Sequence, residues 1–329
     1  MTLNKNNKRQ LLSIVTPAYN ESNVLAEFYR RIIQSLENTN LDIELIYVND
    51  GSKDDTSNVM HQQCLNDRRI TVIDLTRNFG KEIALTAGLD YASGDAIVII
   101  DVDLQDPPEL IPEFIKYWQE GYDVVSARRS KRHGESVFKK LSSFIFYRLL
   151  SRLSDIQIPE DTGDFRLMSR AAVDALLKIR ERHRYMKGLY AWIGFSHKCI
   201  DFERAPRSLG SSKWSFWKLL NLAVDGLTSF SVVPLKLATI IGILTAVISL
   251  AFGCFILMKK ILFGDPVAGY TSLVVIITFL GSVQLLALGI IGEYLGRVYN
   301  ETKGRPLYLI KDIHNSIYSQ SNVRPENES

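Results

Sequence analysis

Asp101 and Asp103 stand two residues apart, directly after Ala96–Ile100, a run of Ala, Ile and Val alone. Two carboxylates at i and i+2 on a strand end can reach one divalent cation, and Mg²⁺ takes hard oxygen ligands while bridging to substrate phosphates. Gln105, two residues further on, offers a carbonyl oxygen on the same side. Asp106-Pro107-Pro108 then fixes a turn. Two other polar clusters are Pro17-Ala18-Tyr19-Asn20-Glu21 and Asn49-Asp50-Gly51-Ser52. In them Tyr19 can lie against a base and Asp50 can accept from a base imide, although turn chemistry explains either cluster alone. Arg77-Asn78-Phe79-Gly80-Lys81 opens a helix, where a cation can reach a phosphate or pair with a carboxylate. The basic run Arg128–His133 suits anionic headgroups, at about 1 kcal/mol per charge, or a substrate phosphate. For the phosphate, Arg128 is the strongest case, because a strand ends there.

These clusters need elements to aim them. Short apolar runs at Leu11–Thr16, Glu44–Asn49, Ile70–Asp74, Ala96–Ile100 and Asp123–Ala127 read as strands. Helical spacing falls between them, at Ser22–Glu37, Thr56–Asn66, Glu82–Ala92 and Glu109–Glu120. That alternation predicts an α/β fold with a mostly parallel sheet covered on both faces. Ligands of such sheets bind at the carboxyl ends of the strands. The clusters after the first, second and fourth strands all lie there, which says more than any one of them. No GxGxxG and no GxxxxGK[ST] occurs, so neither a dinucleotide dehydrogenase nor a P-loop enzyme is supported.

A net charge of +3 over 329 residues is too weak to argue for nucleic acid. Cys64, Cys199 and Cys254 are odd in number and form no CxxC pair, which argues against a disulfide framework or a zinc site. The first apolar run stops at Pro17 and is too short for a signal-peptide core, so the bulk of the chain is expected in the cytosol. Two uncharged spans follow, Leu237–Met258 and Thr271–Gly292. Each has about 22 residues, roughly 33 Å of helix, enough to cross a bilayer. Lys236, Arg297, Lys303, Arg305 and Lys311 flank them and favour the cytoplasm for both ends, while Lys259 and Lys260 in the loop count the other way. Ser136–Ser154 and Lys213–Leu227 are amphipathic, and the second, with Trp214 and Trp217, suits a membrane interface.

The ordered motifs PAYNE, NDGS, RNFGKE, DVDLQDPPE and TGDFRLMSR resemble family 2 glycosyltransferases of the GT-A fold. More closely, they resemble the bacterial polyprenyl-phosphate glycosyltransferases: the bactoprenol glucosyltransferases and their relative dolichol-phosphate mannose synthase. The resemblance runs through both spans into IIGEYLGRVYNETKGRPLY. It implies that Pro17, Tyr19, Glu21, Asp50, Lys81, Asp101, Val102 and Asp103 hold a nucleotide-sugar. Mg²⁺ or Mn²⁺ would sit on Asp101 and Asp103 with Gln105 nearby, and Asp164 would lie at the reaction centre. Arg128, and Arg207, Ser212 and Lys213 of RSLGSSKW, would contact phosphate or lipid. Nothing matches the QxxRW of processive synthases.

The expected organisation is a cytoplasmic GT-A domain over 1–209, a juxtamembrane amphipathic helix over 210–231, two transmembrane helices within 232–296, and a cytoplasmic tail over 297–329. The expected protein is a multi-pass enzyme of the cell's inner membrane. It moves a sugar, with glucose from UDP-glucose as first choice, onto undecaprenyl phosphate by inversion. Mannose or an amino-arabinose derivative, and a non-catalytic membrane scaffold, are the alternatives. Its partners would be donor, lipid acceptor and membrane but no nucleic acid, and self-association is left open.

Overall fold

The computed structural model describes residues 9–129, 162–182, 184–202 and 269–315, with further positions between 240 and 262. The amphipathic stretches 136–154 and 213–227, and with them Arg207, Ser212 and Lys213, lie outside the described residues.

The chain runs β1 (Leu11–Ala18), α1 (Leu25–Leu36), β2 (Asp42–Asn49), α2 (Thr56–Asn66), β3 (Ile70–Leu75), α3 (Lys81–Tyr91) and β4 (Ala96–Ile99). A short 3₁₀ turn, Pro108–Leu110, leads into α4 (Ile111–Gln119) and β5 (Val124–Arg129). Then come β6 (Thr162–Ser169), α5 (Arg170–Leu177), α6 (Met186–Trp192), β7 (His197–Phe202), α7 (Tyr270–Thr302) and β8 (Ile310–Asn315). The nine elements expected up to β5 are all present, within about three residues at each end.

Eight strands form one sheet in the order β7-β5-β6-β4-β1-β2-β3-β8. The central β4-β1-β2-β3 set is parallel. β6 joins it antiparallel to β4, and β8 antiparallel to β3. The order reverses at β1, whose neighbours are β2 on one side and β4 on the other. Such a switch point opens a crevice at the carboxyl ends of the strands.

β1 is buried from Leu12 to Ala18, as a central strand covered on both faces must be. α1 buries Leu25, Phe28, Ile32 and Leu36, a single stripe at helical spacing. Each of these side chains adds about 1.5–3 kcal/mol on burial. α3 lies close on the sheet: a Cβ at Gly88 would come within 2.3 Å of Val15 Cγ1 and 2.9 Å of Val48 Cγ2. This close approach fixes the start of α3, and therefore Lys81, beside the crevice.

The chain divides into two compact units, one holding the sheet and the other covering 148–155 and 216–304. In the second, α7 contains the expected span Thr271–Gly292, and within α7 Phe279–Thr302 is long and apolar enough to cross a membrane by length and composition. No other helix among the described residues passes that test. The first expected span lies partly outside the described residues, and 240–245 within it are helical, so a two-helix hairpin is not established. Beyond α7, within the segment expected as a tail, β8 pairs with β3 as an edge strand of the sheet.

Candidate active site

The crevice at the β1/β4 switch point is about 330 Å³ and is lined by Pro17, Ala18, Tyr19, Glu21, Asp50, Asn78, Gly80, Lys81, Asp101, Val102 and Asp103. All eight residues expected to hold a nucleotide-sugar are therefore together. Tyr19 stands 39% exposed at the mouth, free to lie against a flat ligand. Asp50 lines the crevice and also holds a loop. Its carboxylate is buried and accepts the backbone N–H groups of Phe79 (2.7 Å) and Gly80 (3.0 Å), tying the loop before α3 to the end of β2. Burial raises its pKa against the pull of those two bonds. Gly51 lets the two loops touch, with φ +65° and an added Cβ 2.5 Å from the Arg77 carbonyl carbon. No side chain fits there.

Asp164 reaches the crevice through strand register. β6 runs antiparallel to β4 with Ile99 opposite Arg166, so continuing the two chains brings Asp101 opposite Asp164. Lys81 bridges the pair, with Nζ 2.7 Å from Asp101 Oδ2 and 2.6 Å from Asp164 Oδ2. Burial opposes the ammonium charge, but the two carboxylates outweigh it and hold the Lys81 pKa above its ordinary value. Burial likewise pushes the Asp101 pKa up, and Asp164 and Asp103 add to that against Lys81. At Asp164 burial is opposed by Lys81, Arg166 and Lys187, and the net shift is downward. Asp164 stays a carboxylate, and Asp164 Oδ1 is buried without a hydrogen-bond partner among the described residues.

Glu82, Lys187 and Tyr190 were not picked out from the sequence as site residues. Glu82 is beside this cluster, and burial together with the charge of Asp164 raises its pKa to about 8. Arg166 is buried, donates to the carbonyls of Gly163 (2.6 Å) and Asp164 (3.3 Å), and lies 3.5 Å from the centre of the Tyr190 ring. It pins the backbone that carries Asp164. The signal was in TGDFRLMSR, where the apolar Phe165 and Leu167 alternate with the polar Asp164 and Arg166 as on a strand, but the motif was read as a site rather than an element.

The donors suit a hard divalent cation. Asp101 and Asp103 supply carboxylate oxygens, and Lys81 is the one cation directly paired with Asp101 and Asp164 among the described residues. Leu104, directly after the pair, has φ +57°, a conformation that costs a bulky residue energy and sharpens the turn behind them. Gln105 differs from expectation: it is 4% exposed, does not line the crevice, and its Nε2 is buried without a partner among the described residues. Its backbone N–H instead donates to Asp103 Oδ1 at 3.1 Å and orients that carboxylate. Arg128 sits on β5, held by both oxygens of Asp201 at 2.6 and 2.9 Å, and is not among the crevice residues.

Residues 13–177 match the glycosyl transferase family 2 model. The chain belongs to that family. It is a glycosyltransferase with an α/β fold of the GT-A kind. It is 50% identical over 302 residues to an uncharacterized glycosyltransferase of Synechocystis sp., covering 92% of this chain and 95% of that one. It is 45% identical over 303 residues to the SfII prophage-derived bactoprenol glucosyl transferase of Shigella flexneri, covering 92% and 98%. Among solved structures, glucosyl-3-phosphoglycerate synthase from Mycobacterium tuberculosis, in complex with Mn²⁺, UDP and its product, superposes with a TM-score of 0.43 at 23% identity over 66% of this chain and 76% of that one.

Proposed function

We propose that this family 2 enzyme transfers a sugar, with glucose from UDP-glucose as first choice, to polyprenyl phosphate at the cytoplasmic face of a membrane. The observation that carries the chemistry is the Asp101–Lys81–Asp164 bridge at the mouth of the nucleotide-sized crevice. The lipid acceptor is supported by relatives named bactoprenol glucosyl transferase that match over nearly their whole length. The membrane is supported by the apolar stretch Phe279–Thr302. The cytoplasmic face is supported by Lys303, Arg305 and Lys311, which follow that stretch.

In this reading Tyr19 lies against the base, and the Asp50-anchored loop presents Asn78 and Gly80 to the diphosphate. Mg²⁺ or Mn²⁺ held by Asp101 and Asp103 would supply charge neutralisation for the departing nucleoside diphosphate. Asp164 sits where the acceptor phosphate and the anomeric carbon meet. A phosphate monoester has a second pKa of about 6, so the acceptor is already largely a dianion at pH 7 and needs no strong base. Asp164, with its pKa held down, is a poor base in any case. Its part is to hold Lys81 across the site, so that the ammonium can turn from carboxylate to phosphate as the substrates enter. Arg128, Arg207, Ser212 and Lys213 are assigned to acceptor phosphate or lipid on the strength of the motif resemblance.

The test is transfer by the full-length protein in detergent, with polyprenyl phosphate and a panel of labelled UDP- and GDP-sugars. Label from UDP-glucose should move into the lipid phase, stop in EDTA, and return with Mg²⁺ or Mn²⁺. Label entering the lipid from a different donor alone would replace the sugar. Failure with every donor would remove the lipid acceptor from the proposal.

A further inference from the structure

A second cluster of chemistry-bearing side chains lies outside the crevice, in a cavity of about 480 Å³ at the β3/β8 edge of the sheet. α2 contributes His61, β3 contributes Asp74, and β8 contributes Asp312 and His314. Asp74 Oδ2 is 2.7 Å from His61 Nε2 and 3.9 Å from His314 Nε2. The three ligand atoms lie within 4.8 Å of one another. Asp312 Oδ2 is 3.2 Å from His314 Nε2.

Three features of this arrangement call for a cation. Asp74 and Asp312 are direct cross-strand partners in the β3–β8 ladder, and like charges in that position repel. The His61 and His314 rings sit 4.1 Å apart, both with Nε2 aimed at one carboxylate, and only His61 is within hydrogen-bond reach of it. Finally, the other oxygen of Asp74 accepts from Asn49 Nδ2 (2.6 Å) and Ser57 Oγ (3.1 Å), the outer support that orients a metal-binding carboxylate. Lys53, Arg77 and Lys311 line the same cavity, so a loosely held hard cation is disfavoured and direct coordination by the imidazoles is needed. Two imidazoles and two carboxylates suit zinc, with bonds of about 2.0–2.2 Å and tetrahedral geometry. Three of the four ligand atoms already lie within 4.8 Å of one another, and Asp312 Oδ2 is 3.2 Å from one of them.

We propose that His61, Asp74 and His314, completed by Asp312, bind one zinc-class divalent ion that staples strand β8 to the catalytic sheet. The site is separate from Asp101 and Asp103 and takes a softer metal. Its effect is to fix, on the edge of the sheet, the segment that follows the long apolar helix.

The experiment is metal binding by the full-length protein in detergent, carrying no polyhistidine tag. Cobalt added to metal-free wild-type protein should give the visible absorption of a tetrahedral ion, bleached by one equivalent of zinc. His61→Gln and His314→Gln should each weaken zinc binding by more than about 100-fold, beyond the ~10–100-fold typical of losing an outer partner. Asp103→Asn should leave zinc binding unchanged. Wild-type protein that gives no such band overturns the proposal without reference to any variant. Zinc binding that survives both histidine changes, or that is lost with Asp103→Asn, overturns it as well. None of these readings involves sugar transfer, so they stand or fall apart from the proposed reaction.

Discussion

The two polar clusters at the carboxyl ends of the strands differ in how well their acids are satisfied. Asp74 is 5% exposed and its two oxygens meet Asn49, Ser57 and His61, all within 3.1 Å. Asp164 has one oxygen on Lys81 and the other buried without a partner among the described residues. A carboxylate engaged by several neighbours is fixed in one place, as a structural group or a permanently held metal requires, whereas an orphaned one in a crevice is kept at a cost of about 1–3 kcal/mol and is ready for a ligand that comes and goes. The contrast separates a site built to change partners from one built to stay closed.

The largest effect should come from removing that readiness. Asp101→Asn and Asp164→Asn should each lower kcat for sugar transfer by at least about 100-fold, the scale of misplacing a positioning group. His314→Gln, in the satisfied cluster, should leave kcat within about threefold. The Asp164→Asn loss should not recover between pH 7 and 9. A rate that climbs about tenfold per pH unit in that variant, with wild type flat, would make Asp164 the base.

The first cluster was largely legible because its parts are short sequence runs at strand ends. Asp101-Val102-Asp103 follows an unmistakable buried strand, and Tyr19 and Asp50 end two others. Asp164 was placed by family resemblance, and only the antiparallel register of β6 against β4 shows why it faces Asp101. That pairing carries no local signal, since more than sixty residues separate the two. The second cluster was not legible at all. Its side chains come from positions 61, 74, 312 and 314, and β8 reads Ile-Lys-Asp-Ile-His-Asn, too polar to be recognised as a strand until β3 is seen beside it. Edge strands of this kind carry charge on the open side, which hides their period.

A middle-sized effect should link the two clusters. Gly51 lines the β3/β8 cavity, and its loop packs on Arg77 and Asn78, while Asn78 also lines the crevice. Gly51→Ala forces a side chain into φ +65° and a Cβ to 2.5 Å from backbone. Left-handed strain of about 1–2 kcal/mol and overpacking of about 1–3 kcal/mol should lower the apparent Tm by several degrees. The donor KM should rise with it. An unchanged Tm with an unchanged donor KM would show that the two loops do not need their contact.

The smallest effect tests the electrostatics of the crevice alone. The Glu82 carboxyl has its pKa raised from 4.5 to about 8, mainly by burial and then by Asp164. Between those two values the unfolded chain has lost the proton that the folded chain keeps. Unfolding therefore releases a proton, and stability falls as pH rises from 4.5 to about 8, then levels off. Glutamine keeps the shape of the protonated acid and cannot ionise. Glu82→Gln should match wild type below pH 4.5, gain apparent Tm over it steadily up to about pH 8, and hold a constant lead above that. The lead should be about a few degrees, read by thermal unfolding without divalent metal or donor. No comparable trend should follow from Ser57→Ala, which removes a partner of Asp74 and adds no titratable group. A Glu82→Gln lead that is the same at pH 5 and pH 8 would mean that Glu82 is ionised throughout, with Lys81 and Lys187 outweighing burial.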